Sequence, residues 1–116
     1  MLHNIDSIRL SEKQKTQLTQ LKKKTGIDNW NVLCRWALCL SLAESTTPPI
    51  ENIASDSNVE MSWKVFGGEH ADIYLAILRQ TYKGQSKNLN SISFFEFFKL
   101  HLNRGLSYLI TSKKRV

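Results

Sequence analysis

Cysteine is scarce in this sequence, where only Cys34 and Cys39 occur among 116 residues. At about 100° per residue, two positions five apart on a predicted helix lie about 140° from each other around its axis. That geometry excludes a normal disulfide between them, and two cysteines without further ligands cannot form a zinc site. Such cysteine usage is typical of a reducing compartment, so we expect a cytoplasmic protein.

Long apolar runs are also missing. The longest uncharged stretches, such as 36–43, have eight residues, whereas a transmembrane helix needs roughly 18–20 apolar residues. The first six residues have neither the basic segment nor the apolar core of a secretory signal. We therefore expect neither a membrane span nor a membrane partner.

Residue patterns that carry catalysis are likewise absent from the sequence. The histidines share no metal-ligand spacing; they are His3, His70 and His101. Gly67-Gly68 lacks the Lys-Ser/Thr of a phosphate-binding loop, and no serine lies in a nucleophile elbow. Cys34 lies in an apolar run, which is typical of a packed small side chain and not of a nucleophile. We expect no enzyme, and thus no catalytic residue, metal or cofactor.

Positive charge is what the sequence has in excess. Sixteen Lys and Arg against ten Asp and Glu give a formal charge of +6, which favours polyanionic partners. The charge is +3 over residues 1–44, −4 over 45–72 and +7 over 73–116. The length predicts a single domain over 1–116 with an acidic surface loop at about 44–62 and a basic mobile tail at 112–116.

The first 26 residues predict a short strand and a capped helix. Ser7–Leu10 alternates polar and apolar side chains, as a strand does. Ser11 and Gln14 form a capping box, and the helix that follows should run from Glu12 to about Thr25. Gly26 is typical of the residue that ends a helix.

A second helix is predicted from a cap at Asp28 to about Ala43. It is apolar on nearly every face, and such a helix must be buried on every side. Because a small domain rarely covers a helix completely, we expect part of it to contact another subunit. Arg35 is the one charge inside it, and should meet a carboxylate or the carbonyls of a helix end, or reach the surface.

The C-terminal half predicts one extended segment and two further helices, so the fold class is mainly α with about four helices. Residues 62–66 alternate loosely and indicate a strand or extended segment. A third helix should start near Asp72 and end before Gly84. The fourth should be capped by Asn90 or Ser91 and run to about Thr111.

A glycine inside that last helix, Gly105, costs roughly 1 kcal/mol relative to alanine, and close approach of another helix would compensate for it. Asn103 and Arg104 precede it, and we expect them to form an interface pair or to meet Glu69 or Glu96.

The clearest local cluster is Lys22-Lys23-Lys24, near the end of the first helix. Lys15 lies seven residues earlier on almost the same face, and Lys13 and Arg9 lie nearby in sequence. Compact cations without interleaved aromatic residues suit phosphate contacts more than base stacking. We expect these six side chains to bind DNA phosphates; the alternative is that the lysines only complement the helix dipole.

The first 40 residues resemble a ribbon-helix-helix module. Ile8-Arg9-Leu10 would be the ribbon, and a capped helix, a glycine turn and a second helix follow it. In that family the ribbons of two subunits pair and enter the major groove. The resemblance implies a dimeric transcriptional regulator, in which Ser7 and Arg9 would read bases.

Nearly the whole chain resembles the DndE family of bacterial DNA sulfur modification proteins. The segments that carry this resemblance are Ile8–Ser11, the lysine-rich end of the first helix with Thr25-Gly26, Asn31–Leu42, Gly68-Glu69, Leu78–Gln80 and His101–Gly105. The acidic linker and the Lys113–Arg115 tail depart from the family's pattern, so no function is carried onto them.

The resemblance to the DndE family implies a compact helical homotetramer that binds duplex DNA and prefers a nick. It also implies partner proteins, including a cysteine desulfurase system, that replace a phosphate oxygen by sulfur. We therefore expect a non-catalytic DNA-binding subunit of a phosphorothioation system. The alternatives are a regulator of the modification operon and a scaffold that docks partner proteins through Arg35 and the acidic segment.

Overall fold

The computed structural model describes residues 3–85, 87 and 92–111. Helix α1 spans Glu12–Thr25, as predicted. The Ser11 hydroxyl accepts a hydrogen bond from the Gln14 amide at 3.0 Å, and the Gln14 side chain accepts one from the Ser11 amide at 2.9 Å. Gly26 ends the helix with a φ of 76°, a left-handed conformation that glycine adopts without steric cost. The capping box and the glycine stop are thus both confirmed.

Helix α2 spans Trp30–Leu42. Asp28 is not its cap, contrary to the sequence prediction, because the helix starts one residue later at an Asn29 cap whose side chain makes no capping hydrogen bond. Its buried side is formed by Leu33, Cys34, Ala37, Leu38 and Ser41. The side chains on its other faces are mostly half-buried, and Cys39 is exposed, so the described chain alone does not bury this helix on every side.

Two short strands, β1 (Ser7–Arg9) and β2 (Glu60–Ser62), pair antiparallel, with Ile8 opposite Met61. Ile8 points into the core while its two strand neighbours are exposed. The last three residues of the predicted acidic loop are therefore a strand. This pairing within one chain occupies one edge of β1, and a ribbon-helix-helix dimer would pair its ribbon with that of another subunit.

The segment predicted as extended at 62–66 is helical. Helix α3 spans Trp63–Gly67 and begins at Ser62, whose hydroxyl accepts a hydrogen bond from the Val65 amide. The alternation in this segment reflects one helical turn that buries Trp63 and Phe66 on the same side. A 3₁₀ turn, Gly68–His70, leads directly into α4, which spans Ala71–Gln85. Helix α4 therefore includes Gly84, before which we expected it to end.

Helix α5 spans Phe94–Thr111. The side chain of Ser93 accepts a hydrogen bond from the Glu96 amide at 3.1 Å, and its carbonyl accepts one from Phe97 at 2.9 Å. Within the described residues Ser93 thus acts as the cap. The predicted caps Asn90 and Ser91 lie outside the described residues, as does the predicted tail 112–116.

The core forms where α5 packs against α2. A Cβ atom added to Gly105 would lie 1.8 Å from the carbonyl oxygen of Ala37, so the two helix backbones are in direct contact there. The predicted reason for a glycine within this helix is confirmed. Aromatic rings extend the core towards α3, with Trp63 stacked on Phe66 and both rings edge-on to Phe98.

None of the helices in the described ranges is both long and apolar enough to cross a membrane. The described chain measures 39 × 26 × 25 Å and has a single main hydrophobic cluster. Strand β1 and each of the helices α1 to α5 contribute residues to that cluster. Over residues 3–85, 87 and 92–111 the fold is thus mainly helical, with four long helices, one short helix and a two-stranded sheet.

Candidate nucleic-acid interface

Helical geometry distributes the five lysines of α1 over its solvent side. Lys15 and Lys22 are seven residues apart and share one direction to within about 20°; Lys13 and Lys24 are eleven apart and share another. Lys23 lies between these two directions and points away from the core. Lys13, Lys23 and Lys24 are exposed, whereas Lys15 and Lys22 are half-buried at the margin of the core. The helix therefore has cations along its length.

The C-terminal end of α1 carries the cluster Lys22–Lys24. Within the ranges that the structure describes, none of these lysines forms an ion pair or a side-chain hydrogen bond. The Lys22 ammonium lies 5.3 Å from the centre of the Trp30 ring, in cation–π contact with the first residue of α2. The cluster thus lies next to the start of α2, the positive end of that helix dipole.

The other three predicted DNA contacts lie near the opposite end of α1, where two of them already have protein partners. Arg9 forms an ion pair with Glu60 at 2.9 Å and donates to the Ser57 carbonyl at 3.0 Å. The Lys15 ammonium donates to the Asn58 side chain at 2.7 Å. Lys13 lines a surface pocket together with Glu51 and Asp56. The six cations therefore do not form one continuous patch.

A buried polar network that the sequence analysis missed links α5 to the end of α2. The Ser41 hydroxyl lies 2.7 Å from His101 Nδ1 and accepts a hydrogen bond from Arg104 Nε at 2.9 Å. Gln85 Oε1 lies 3.1 Å from His101 Nε2, so a proton on Nε2 would satisfy both ring nitrogens. Arg104 also donates to the Ser41 and Thr46 carbonyls and to the Thr46 hydroxyl.

Arg104 and Asn103 have partners other than the two glutamates that we expected. Arg104 meets α2 and the loop after it, and neither Glu69 nor Glu96. Asn103 donates to Glu51 at 3.2 Å and accepts from Gln14 at 3.3 Å. The i, i+3 spacing of His101 and Arg104 was the available signal, because it places both on one face of α5.

Burial, and then the positive charge of Arg104, lowers the pKa of His101 to about 4. The imidazole is therefore neutral at physiological pH, and its side chain is inaccessible to solvent. A Ser–His contact without access to a substrate is structural. It fixes the end of α2 to α5.

Arg35 meets the predicted kind of partner, a helix-end carbonyl: its guanidinium donates to Phe66, in the last turn of α3, at 2.7 Å. Asn31, one turn earlier on α2, donates to the adjacent Val65 carbonyl at 3.0 Å. Together these side chains hold α3 against α2.

The two cysteines differ in their surroundings, and both are free thiols. Burial raises the pKa of the Cys34 thiol to about 12, so it is packed as a small apolar side chain. Burial also raises the pKa of Cys39, although this thiol reaches the surface. Over the described ranges, no group of three or more His, Cys, Asp or Glu side chains could hold a metal ion.

A family model and two solved structures that match this chain all concern the same protein family. The family model described as DNA sulphur modification protein DndE matches residues 7–116. A crystal structure of DndE from Escherichia coli B7A, described as involved in DNA phosphorothioation modification, has a TM-score of 0.72 and 21% identity. It covers 94% of this chain and 98% of that chain.

A glycine-to-lysine mutant of DndE, described as involved in DNA phosphorothioation, has a TM-score of 0.69 and 19% identity. It covers 94% of this chain and 99% of the other. No curated protein matches the chain. At 21% and 19% identity the two structures establish only the fold. The match of the family model to residues 7–116 establishes the family.

Proposed function

Because the chain belongs to the DndE family of DNA sulphur modification proteins, we propose that it is a non-catalytic DNA-binding subunit of a bacterial DNA phosphorothioation system. It acts in the cytoplasm on duplex DNA and prefers a nicked duplex. Its partners are DNA, further copies of itself and the other phosphorothioation proteins, including a cysteine desulfurase system. The relatives described as involved in phosphorothioation support the assignment to that system.

The observation that carries the DNA-binding proposal is that the positive charges of Lys22–Lys24 are not paired within the described residues. In the part of the chain that the structure describes, no carboxylate neutralises these three cations. Lysines that contact phosphates release counterions, so three contacts predict a slope of about −2.7 for log affinity against log salt concentration. Compact lysine ammonium groups suit phosphate contacts more than base readout, and the binding should therefore depend little on sequence.

The proposed homotetramer would repeat this cluster four times, so that weak contacts add through multivalency. Two exposed isoleucines on α4, Ile73 and Ile77, lie one turn apart and are each more than two-fifths exposed. On α2, Trp36 and Leu40 are only half-buried. Contacts between copies would remove such apolar surface from water. A nick makes a duplex a flexible hinge, which lets two clusters engage the two arms.

The test is fluorescence-anisotropy titration of labelled nicked and intact duplexes of one sequence at several salt concentrations. The variant Lys22→Gln/Lys23→Gln/Lys24→Gln should bind at least tenfold more weakly and show a flatter salt response. The matched control replaces Lys64, Lys83 and Lys87, which are exposed lysines outside α1, and loses the same net charge.

Equal affinities for the two triple variants would reject the cluster as the DNA site. A salt-independent affinity of the unaltered protein would reject phosphate binding altogether. Equal binding of nicked and intact duplexes would reject the nick preference alone. Light scattering on the same samples tests the tetramer, which predicts a mass near four times 13.4 kDa.

A further inference from the structure

The acidic segment 51–60 covers the N-terminal end of α1. Asp56 accepts a hydrogen bond from the Glu12 amide at 2.9 Å, and Asn58 accepts one from the Lys15 ammonium at 2.7 Å. At its far end, Glu60 forms the 2.9 Å ion pair with Arg9. The segment thus presents oxygen atoms to the N-terminal end of α1 and its nearby cations, and a phosphate backbone also presents oxygen atoms.

Charge complementarity makes this contact specific to one end of the helix. Residues 44–62 contain four acidic and no basic residues. Three of those four acids, Glu51, Asp56 and Glu60, lie beside the cations Arg9 and Lys13 or at the first turn of α1. Among the described residues, no acidic side chain pairs with the Lys22–Lys24 cluster, although the cluster lies on the same helix.

The segment is firmly attached, so its position is a fixed property of the fold. The Leu10 amide donates to the Val59 carbonyl and the Ser57 amide donates to the Leu10 carbonyl, both at 3.0 Å. The Ile53 side chain is buried, and β2 continues the chain into the sheet.

We propose that segment 51–60 is an intramolecular competitor of DNA, which holds Arg9 and Lys15, places carboxylates around the pocket that Lys13 lines, and restricts phosphate binding to Lys22–Lys24. This inference rests on the proposed function. It has a physical consequence for orientation: a duplex meets the junction of α1 and α2 and does not lie along α1, since carboxylates repel its phosphates from the other end.

The experiment removes the negative charges of segment 51–60 while keeping side chains of nearly the same size. The variant Glu51→Gln/Asp56→Asn/Glu60→Gln keeps an acceptor oxygen at each position. The matched control, Glu44→Gln/Glu69→Gln/Asp72→Asn, changes three exposed acids elsewhere and gives the same net charge. Both are titrated with a labelled intact duplex between 50 and 300 mM NaCl, after circular dichroism has verified folding.

Each additional phosphate contact steepens the salt slope by about 0.9. We expect the segment variant to be steeper than the unaltered protein by about 2 to 3 and to bind at least tenfold more tightly at the lowest salt. The control should show less than a third of that gain. Adding Arg9→Gln/Lys13→Gln/Lys15→Gln to the segment variant should abolish the gain.

Equal slopes and affinities for the segment variant and its control would overturn the inference while leaving the Lys22–Lys24 site intact. If the unaltered protein does not bind the duplex, or binds it with an affinity that does not change with salt, the proposed function is overturned instead. If the triple segment variant does not fold, Glu60→Gln alone is compared with Glu69→Gln, and equal slopes for these two single variants likewise overturn the inference.

Discussion

Gly105 is the position where a single methyl group should affect the fold most. Helices α2 and α5 cross there with the Gly105 backbone against the Ala37 backbone. A Cβ would lie 1.8 Å from the Ala37 oxygen, 2.4 Å from its carbonyl carbon and 3.0 Å from its Cα. All three atoms belong to the main chain of a helix, so no side-chain rotation can relieve the contact.

The cost of Gly105→Ala follows from that geometry. To restore ordinary contact distances, the helices must separate by about 1.5 Å, which weakens packing across the best-buried part of the core. Overpacking of a core costs about 1–3 kcal/mol, and an obstacle made of backbone belongs at or above the upper end. The better helix propensity of alanine returns at most about 1 kcal/mol. We expect a net loss of about 2 kcal/mol or more.

The matched control is Gly84→Ala, because Gly84 lies in α4 and an added Cβ there meets nothing within 4 Å. It should leave stability unchanged or raise it by up to about 1 kcal/mol. Urea unfolding followed by circular dichroism measures both free energies. Thermal melting of the Gly105→Ala variant should occur roughly 10 °C lower than that of the unaltered protein. If Gly105→Ala were as stable as Gly84→Ala, the close helix contact would be refuted.

Two further predictions concern buried titratable groups. The folded-state pKa of His101, about 4, is below its ordinary value of 6.5, so the unfolded chain binds more protons between these values and stability falls as pH drops through that window. The loss should reach about 1.6 kcal/mol between pH 6.5 and 5, and urea unfolding at both pH values should show a smaller loss for His101→Gln; an identical loss would contradict this origin. For the thiols, iodoacetamide should label Cys39 in the folded protein and Cys34 only in urea, and mass spectrometry showing two adducts on the folded protein would exclude the buried position of Cys34.

The sequence predicted best where the signals are local. Helix α1 has a capping box at one end and a glycine at the other, and both act within four residues of the helix end. The start of α2 was placed one residue early, since Asp28 and Asn29 are both favourable caps and only the folded backbone selects between them. Segment 62–66 was assigned to an extended conformation because five residues are too few to distinguish period 2 from one helical turn.

At the candidate site, too, local features could be predicted from the sequence and contacts between remote segments could not. Composition and spacing identified the six cations, and helix geometry related those on α1. The availability of Arg9 and Lys15 to DNA depends on partners 43 to 51 residues away along the chain, and nothing in the local pattern encodes those contacts. The Ser41–His101 contact spans 60 residues and was missed for the same reason.

The sequence by itself therefore determined a helical protein with a basic α1, an acidic middle segment and a glycine that requires a close helix contact, because side-chain chemistry and helical period act over a few residues. Only the tertiary structure decided that the acidic segment lies over the N-terminal end of α1 and makes no contact with Lys22–Lys24 at the other end. Charge is a property of residues, whereas its neutralisation depends on distance, and distances between remote segments exist only once the chain has folded.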